Sequence, residues 1–198
     1  MGFKAIKQLK LKEAFVGNQK FDSITEDDDF LKELFECESR AQLYICDDNL
    51  VGHSVFIPNT EGIGKDKVFK VKNSEHKDVF LWHIDGVLFE KESKCDCAVF
   101  TDKDLNFIEL KTNAINRSEE AIQDNYQKAS DQLLNTLEEV SKKCHSVEVE
   151  IRDLVKIKAF AVFNRSVPSN DALRKNISIR FLLESKGIKL VFGNECSL

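Results

Sequence analysis

Residues 118–143 restrict the fold more than any other stretch of the chain. Ile122, Tyr126, Ala129, Leu133, Leu137 and Val140 recur at steps of four, three, four, four and three. That spacing draws one apolar stripe down a helix of about seven turns. Ser118 is placed to cap it. Glu119 and Glu120 fall in the first turn, and Lys142 and Lys143 fall near the end, where each charge suits the helix dipole. A long helix with a single apolar stripe must lie across a broad apolar surface, and a sheet is the surface that the flanking sequence offers.

The segments before this helix read as strands. VFKVK at 68–72 alternates apolar and basic residues. VFLWHIDGVLF at 79–89 predicts a strand pair or a bulged strand, broken at Asp85-Gly86. CDCAVF at 95–100 and FIELKT at 107–112 are short apolar runs joined by the polar TDKDLN at 101–106, which predicts a hairpin. Upstream, Phe30, Leu31, Leu34 and Phe35 recur at helical spacing in an acidic segment and predict a helix over 26–40, followed by a strand at 41–46. His53 to Ile57 reads as a short strand among turns. After the long helix come a strand at 155–164, a turn at 166–168, a short helix over 170–184 and a strand at 188–192. The expectation is an α/β fold in one domain spanning 1–198, with an N-terminal helix and turns over 1–66 and the core sheet and helices over 67–198.

Composition narrows the function classes. Hydrophobic residues make up 42% and charged residues 32%, an ordinary balance for a globular chain. The formal net charge of −5 argues against a protein that coats nucleic acid by bulk electrostatics, but not against an enzyme with a local basic surface. The start, MGFKAIKQLKLKEAF, is charged and lacks the apolar run of a signal peptide. No stretch has the length of a membrane span, so a cytoplasmic chain with reduced cysteines and no membrane partner is expected. Cys95 and Cys97 stand two apart without a second close Cys or His pair. They therefore read as buried apolar side chains on one strand face, not as zinc ligands.

The chemistry concentrates in the hairpin. Glu109 and Lys111 are two residues apart on a strand, so both point the same way, while Ile108 and Leu110 point into the core. Asp96 opens the preceding strand, and closure near 101–106 brings it beside them. Two carboxylates and an ammonium suit a site in which hard oxygen ligands hold Mg²⁺ at a phosphate. Glu-x-Lys is also a common exposed-strand ion pair. Here both charged ends adjoin apolar runs, and burying a charge without a purpose is expensive.

CDCAVF, the turn and NFIELKT, followed by a helix containing Gln132-Leu133, resemble the core of the PD-(D/E)xK nucleases. The resemblance covers about residues 82–137. In that family an Asp opens one strand, a Glu-x-Lys lies on the next, and a helix then covers the sheet. It implies a restriction-endonuclease-like mixed central sheet flanked by helices, Mg²⁺ or Mn²⁺ as cofactor, and phosphodiester hydrolysis. Asp96 and Glu109 would be metal ligands, the Leu110 carbonyl a further contact and Lys111 the catalytic lysine. Cys95 stands where the family motif has Pro.

Three neighbours are possible auxiliaries. Asp85 reads first as an Asp-Gly turn and Glu92 as solvated. Gln132 is open between a site residue, as in some branches of the family, and a surface side chain. Lys65, Lys67, Lys70 and Lys72 offer contacts to a nucleic-acid backbone, or protect an edge strand. The resulting expectation is a Mg²⁺-dependent nuclease acting on DNA in preference to RNA. A homodimer would suit the cutting of two strands; small size without a helicase motif or DNA-reading module suggests a dedicated nuclease or the effector subunit of a larger system, with a protein partner or activator, and a role in bacterial defence or repair follows from family habit. The rival is a catalytically silent module of the same fold that binds a partner.

Overall fold

The computed structural model describes residues 10–15, 34–85, 88–89, 93–114, 118–164 and 167–198. The regular elements are α1 (Leu11–Ala14), β1 (Phe35–Glu38), β2 (Gln42–Asp48), β3 (His53–Ile57), β4 (Phe69–Lys72), β5 (Val79–His83), β6 (Cys97–Phe100) and β7 (Asp104–Lys111). They continue with α2 (Glu119–His145), α3 (Ile151–Leu154), β8 (Lys156–Phe163), α4 (Asp171–Glu184), β9 (Lys189–Phe192) and β10 (Glu195–Ser197).

Two mixed sheets form. The larger has the order β1-β5-β6-β7-β8-β9, and the smaller has the order β10-β4-β2-β3. β5, β6 and β7 are antiparallel neighbours. β8 and β9 add in parallel, reached through the crossover helices α2 and α4. Parallel neighbours need such crossovers, which is why the pattern turns from strand to helix after residue 112. The predicted hairpin forms with Cys97 opposite Ile108, but its turn is shorter than expected and β7 already begins at Asp104.

The large sheet is covered on both faces. Leu105, Phe107, Ala159 and Ala161 meet the stripe of α2 on one side. Ile108, Leu110, Phe160 and Val162 meet Leu43, Ile45, Phe69 and Val71 of the small sheet on the other. This double burial explains why β5 and β6 carry near-continuous apolar runs. Ala159 and Ala161 are small, so the helix layer can lie close to β8.

Three expectations are corrected. The helix predicted over 26–40 does not include 35–38, which pair with β5 as strand β1, because Phe35 packs with Trp82 and Phe100 in the core under the helices. Residues 26–33 lie outside the described residues. β4 is not an edge strand, since β10 pairs with its free side, so Lys70 and Lys72 do not guard an edge. Cys95 and Cys97 do not share a face. The chain bends at Asp96, leaving Cys95 in the core under the helices and Cys97 between the sheets. Among the described residues no helix is long and apolar enough to cross a membrane.

Candidate functional site

Glu109 and Lys111 occupy the C-terminal end of β7, an interior strand of the large sheet. Period-two alternation puts them on the helix-facing side with Leu105 and Phe107. Glu109 is only 1% exposed, whereas Lys111 is 21% exposed and reaches toward the sheet end. Their side chains form an ion pair. Lys111 Nζ also donates to Gln132 Oε1 of α2 at 2.5 Å.

Asp96 sits at the bend before β6. Its carboxylate accepts the backbone N–H of Leu110, beyond the point where the β6–β7 ladder ends at Cys97 and Ile108. The N–H and C=O of one strand residue point to the same flank, so the Leu110 carbonyl is on the flank where Asp96 lies. The bend is fastened by α2. Cys95 N donates to Thr136 Oγ1 at 2.8 Å, Gln132 Nε2 donates to the Lys94 carbonyl at 2.9 Å, and Lys94 Nζ donates to the Asn135 carbonyl at 3.2 Å. One helix face thus holds both the segment before Asp96 and the ammonium of Lys111.

A second wall comes from the small sheet. Leu43, Ile45 and Asp47 alternate on the face of β2 that looks toward the large sheet, the first two as core and the third at the sheet end. Ser54, opposite Asp47 across β2–β3, donates its hydroxyl to Asp47 Oδ1 at 2.8 Å. Asp47, His53, Ser54, Asp85 and Asp96 line a cleft of about 230 Å³. Behind His53 its ring stacks on His83 at 4.2 Å between centroids. Burial, and then the charge of His53, lower His83 to about 4.

The electrostatics have one sign. Burial and then the neighbouring Glu109 and Asp47 charges hold Asp96 well above the usual carboxylate range. Burial raises Glu109 to about 7; the Lys111 charge and hydrogen bond oppose this, while Asp47 and Asp85 add to it. Asp47 is also raised, chiefly by burial. Glu109 Oε1 pairs with Lys111, but the buried Oε2 has no hydrogen-bond partner among the described residues. Several carboxylates facing one ammonium, with a buried acceptor left over, is an arrangement that a bound cation would relieve. Among the described residues no three His, Cys, Asp or Glu side chains stand close enough to hold a metal by themselves. The donor set that fits is two carboxylates and a backbone carbonyl, leaving the remaining positions to water and phosphate oxygens, as Mg²⁺ prefers.

Asp96, Glu109, Leu110 and Lys111 are therefore brought together, and Gln132 is a partner of Lys111 rather than a surface side chain. Asp85 reaches the same cleft, its N–H meeting the Asp96 carbonyl at 3.2 Å. Glu92 lies outside the described residues. The lysines do not converge on the cleft. Lys65 and Lys67 sit in a 3-10 turn. Lys70 and Lys72 alternate with the buried Phe69 and Val71, so they face away from the large sheet, and Lys72 pairs with Glu195 at 2.6 Å. Sequence reading missed Asp47, Ser54 and His53. The signal available was the polar end of an otherwise apolar strand, YICDD, followed by a tight turn. No family model, curated protein or solved structure matches the chain.

Proposed function

We propose that this chain is a Mg²⁺- or Mn²⁺-dependent nuclease that hydrolyses phosphodiester bonds, with DNA as the substrate. The observation that carries the reading is the Oε2 of buried Glu109, without a hydrogen-bond partner among the described residues and set beside Asp96 in a cluster of carboxylates with raised proton affinity. Buried charge of this kind is retained where it serves binding or catalysis. The arrangement of an antiparallel β5–β6–β7 meander, a covering helix α2 and a parallel β8 agrees with the restriction-endonuclease-like core that the Asp96…Glu109-x-Lys111 motif implies.

Asp96 and Glu109 would hold the cation, and the Leu110 carbonyl would offer a third oxygen. When bound, the cation supplies charge neutralisation at the phosphate and lowers the pKa of water. Lys111, pinned between Glu109 and Gln132, presents a fixed positive charge where negative charge develops on the scissile phosphate, and orients the attacking water. Gln132 acts through Lys111 and is a positioning residue. Asp47, oriented by Ser54, closes the acidic wall facing Asp96.

The test is cleavage of circular and linear DNA and of RNA with Mg²⁺, Mn²⁺ or EDTA, comparing wild type with folded Glu109→Ala and Lys111→Ala proteins. Metal-dependent cutting lost in both variants is expected. Cutting that survives in both, or a wild type that neither binds Mn²⁺ nor cuts, refutes the assignment; the second outcome moves the reading to a silent binding module.

A further inference from the structure

Arg174 stands in the first turn of α4, which follows β8 and so begins at the end of the sheet where Lys111 lies. Its guanidinium is locked in place: Nε donates to the Tyr126 hydroxyl at 2.9 Å, and the planar group lies 5.4 Å from the Tyr126 ring centroid and 5.7 Å from that of Phe192. Tyr126 is itself fully buried and stacked on Phe163 at 4.3 Å. Phe163 is the register partner of Lys111, so the two side chains stand side by side on the helix-facing side of the sheet. Arg174 therefore lies beyond Phe163, on the order of 10–15 Å from Lys111. What its guanidinium lacks is a counter-charge. Among the described residues neither Nη has a hydrogen-bond acceptor, and no carboxylate pairs with it. Asp171, one turn back on α4, is bonded by Ser169 at 2.9 Å instead, and Asp131 and Glu184 pair with Arg180. A part-buried cation whose side chain is locked and whose outer fork is unused has lost hydration without gaining an anion.

We propose that the outer Nη edge of Arg174 grips a backbone phosphate of the substrate strand, a few nucleotides from the phosphate cut beside Lys111. The proposal rests on the nuclease reading above and adds the path of the strand, along the sheet end from β7 past β8 toward α4. The chemistry of the group selects phosphate as the occupant, since the two N–H groups of a guanidinium fork match a pair of phosphate oxygens. Electrostatics require such a contact. The carboxylates around Asp96 and Glu109 repel a polyanion, so a strand that reaches them needs a fixed cation outside the acidic cluster. The separation fits as well, because 10–15 Å is about three to four nucleotides at about 3.4 Å each. Both cations are also set by one helix. Tyr126 and Gln132 lie on α2, the first bonded to Arg174 and the second to Lys111, so the spacing between the two charges is built into the fold.

The test is binding of a short DNA duplex at fixed Ca²⁺ and rising KCl by the wild type, Arg174→Lys and Arg174→Gln, beside a thermal melt of each. Arg174→Gln is expected to bind about tenfold more weakly, with a slope of log affinity against log salt shallower by about 0.9, while Arg174→Lys keeps the wild-type slope. Both variants lose the planar stack, so the difference between them reports the charge whatever the melts show. A walk of single methylphosphonate linkages along the strand gives the second readout. One neutral linkage should weaken the wild type about tenfold and leave Arg174→Gln unaffected. Equal slopes for the Lys and Gln variants, or a linkage profile that they share with the wild type, overturn the phosphate contact, and Mn²⁺-dependent cutting by the wild type then leaves the nuclease reading intact. The expected slopes and linkage effect with no cutting in Mn²⁺ support the contact and refute the nuclease. A wild type that binds no DNA overturns both.

Discussion

Replacing Glu109 by Gln should stabilise the metal-free protein at alkaline pH. The buried carboxyl binds its proton up to about pH 7, against 4.5 in the open chain. Between these values the folded state holds more protons than the unfolded state, so stability falls as pH rises. The favourable contribution is complete below pH 4.5 and is lost by the time the pH has passed about 7. At about 1.4 kcal/mol for each pH unit, the loss is about 3 kcal/mol. For a chain of this size that corresponds to roughly 6–12 °C in Tm. Gln has the same shape and no charge to bury, so Glu109→Gln should lack this part of the pH dependence. The assay is thermal melting of both proteins in EDTA from pH 4.5 to 8.5, reading the difference between them so that other titrating groups cancel. The gap should open in favour of the variant as pH rises. Mn²⁺ at about a hundred times its Kd should then restore about 2.7 kcal/mol to the wild type alone. Parallel curves, or an equal response to Mn²⁺, would refute the argument that Glu109 is a destabilising charge awaiting a cation.

Other predictions follow from the same geometry. Lys111→Ala should lower kcat by about 10²–10³ while Mn²⁺ still binds by calorimetry, whereas Glu109→Ala should lose both. Asp47→Asn should weaken Mn²⁺ binding about 10–100-fold without unfolding the chain, and Ser54→Ala should do so less, both read by calorimetry beside a thermal melt. Trp82→Ala should cost about 3–5 kcal/mol in urea melts, since its indole is fully buried against Phe15 and Phe35. Of the six thiols, only Cys37 should react with a thiol reagent in the folded state. The other five are buried, and burial holds each of their thiols above the ordinary range.

The hairpin and the helix were legible because their signals are local. Six apolar residues at steps of three and four can satisfy only one helix face, and α2 runs from Glu119 to His145 with Ser118 accepting from Ala121 N, close to the predicted 118–143. The pairing of Glu109 and Lys111 on one face followed from alternation alone. What could not be read was tertiary. Phe35 has helical spacing with its neighbours, yet it joins a strand because the open edge of β5 and the ring of Trp82 give it a better partner than a helix would. Asp47 joins the cleft only because a second sheet packs on the first, a fact set by Leu43, Ile45, Phe69 and Val71 acting together. β10 was invisible as ECS, three residues with one apolar side chain, and exists by pairing with β4.

The fastening of Lys111 and of the segment just before Asp96 to one face of α2 makes the helix a ruler. Gln132, Asn135 and Thr136 lie at i, i+3 and i+4, and their bonds reach Lys94, Cys95 and Lys111 only when that face is turned inward. Each residue inserted into or deleted from the first half of α2 turns the second half by about 100°. One such change would leave the apolar stripe partly served by neighbouring side chains, yet swing all three polar anchors off the sheet end. Genetic change by insertion and deletion should therefore be far less tolerated between 119 and 132 than in the loop at 59–64, where the chain keeps no such angular phase.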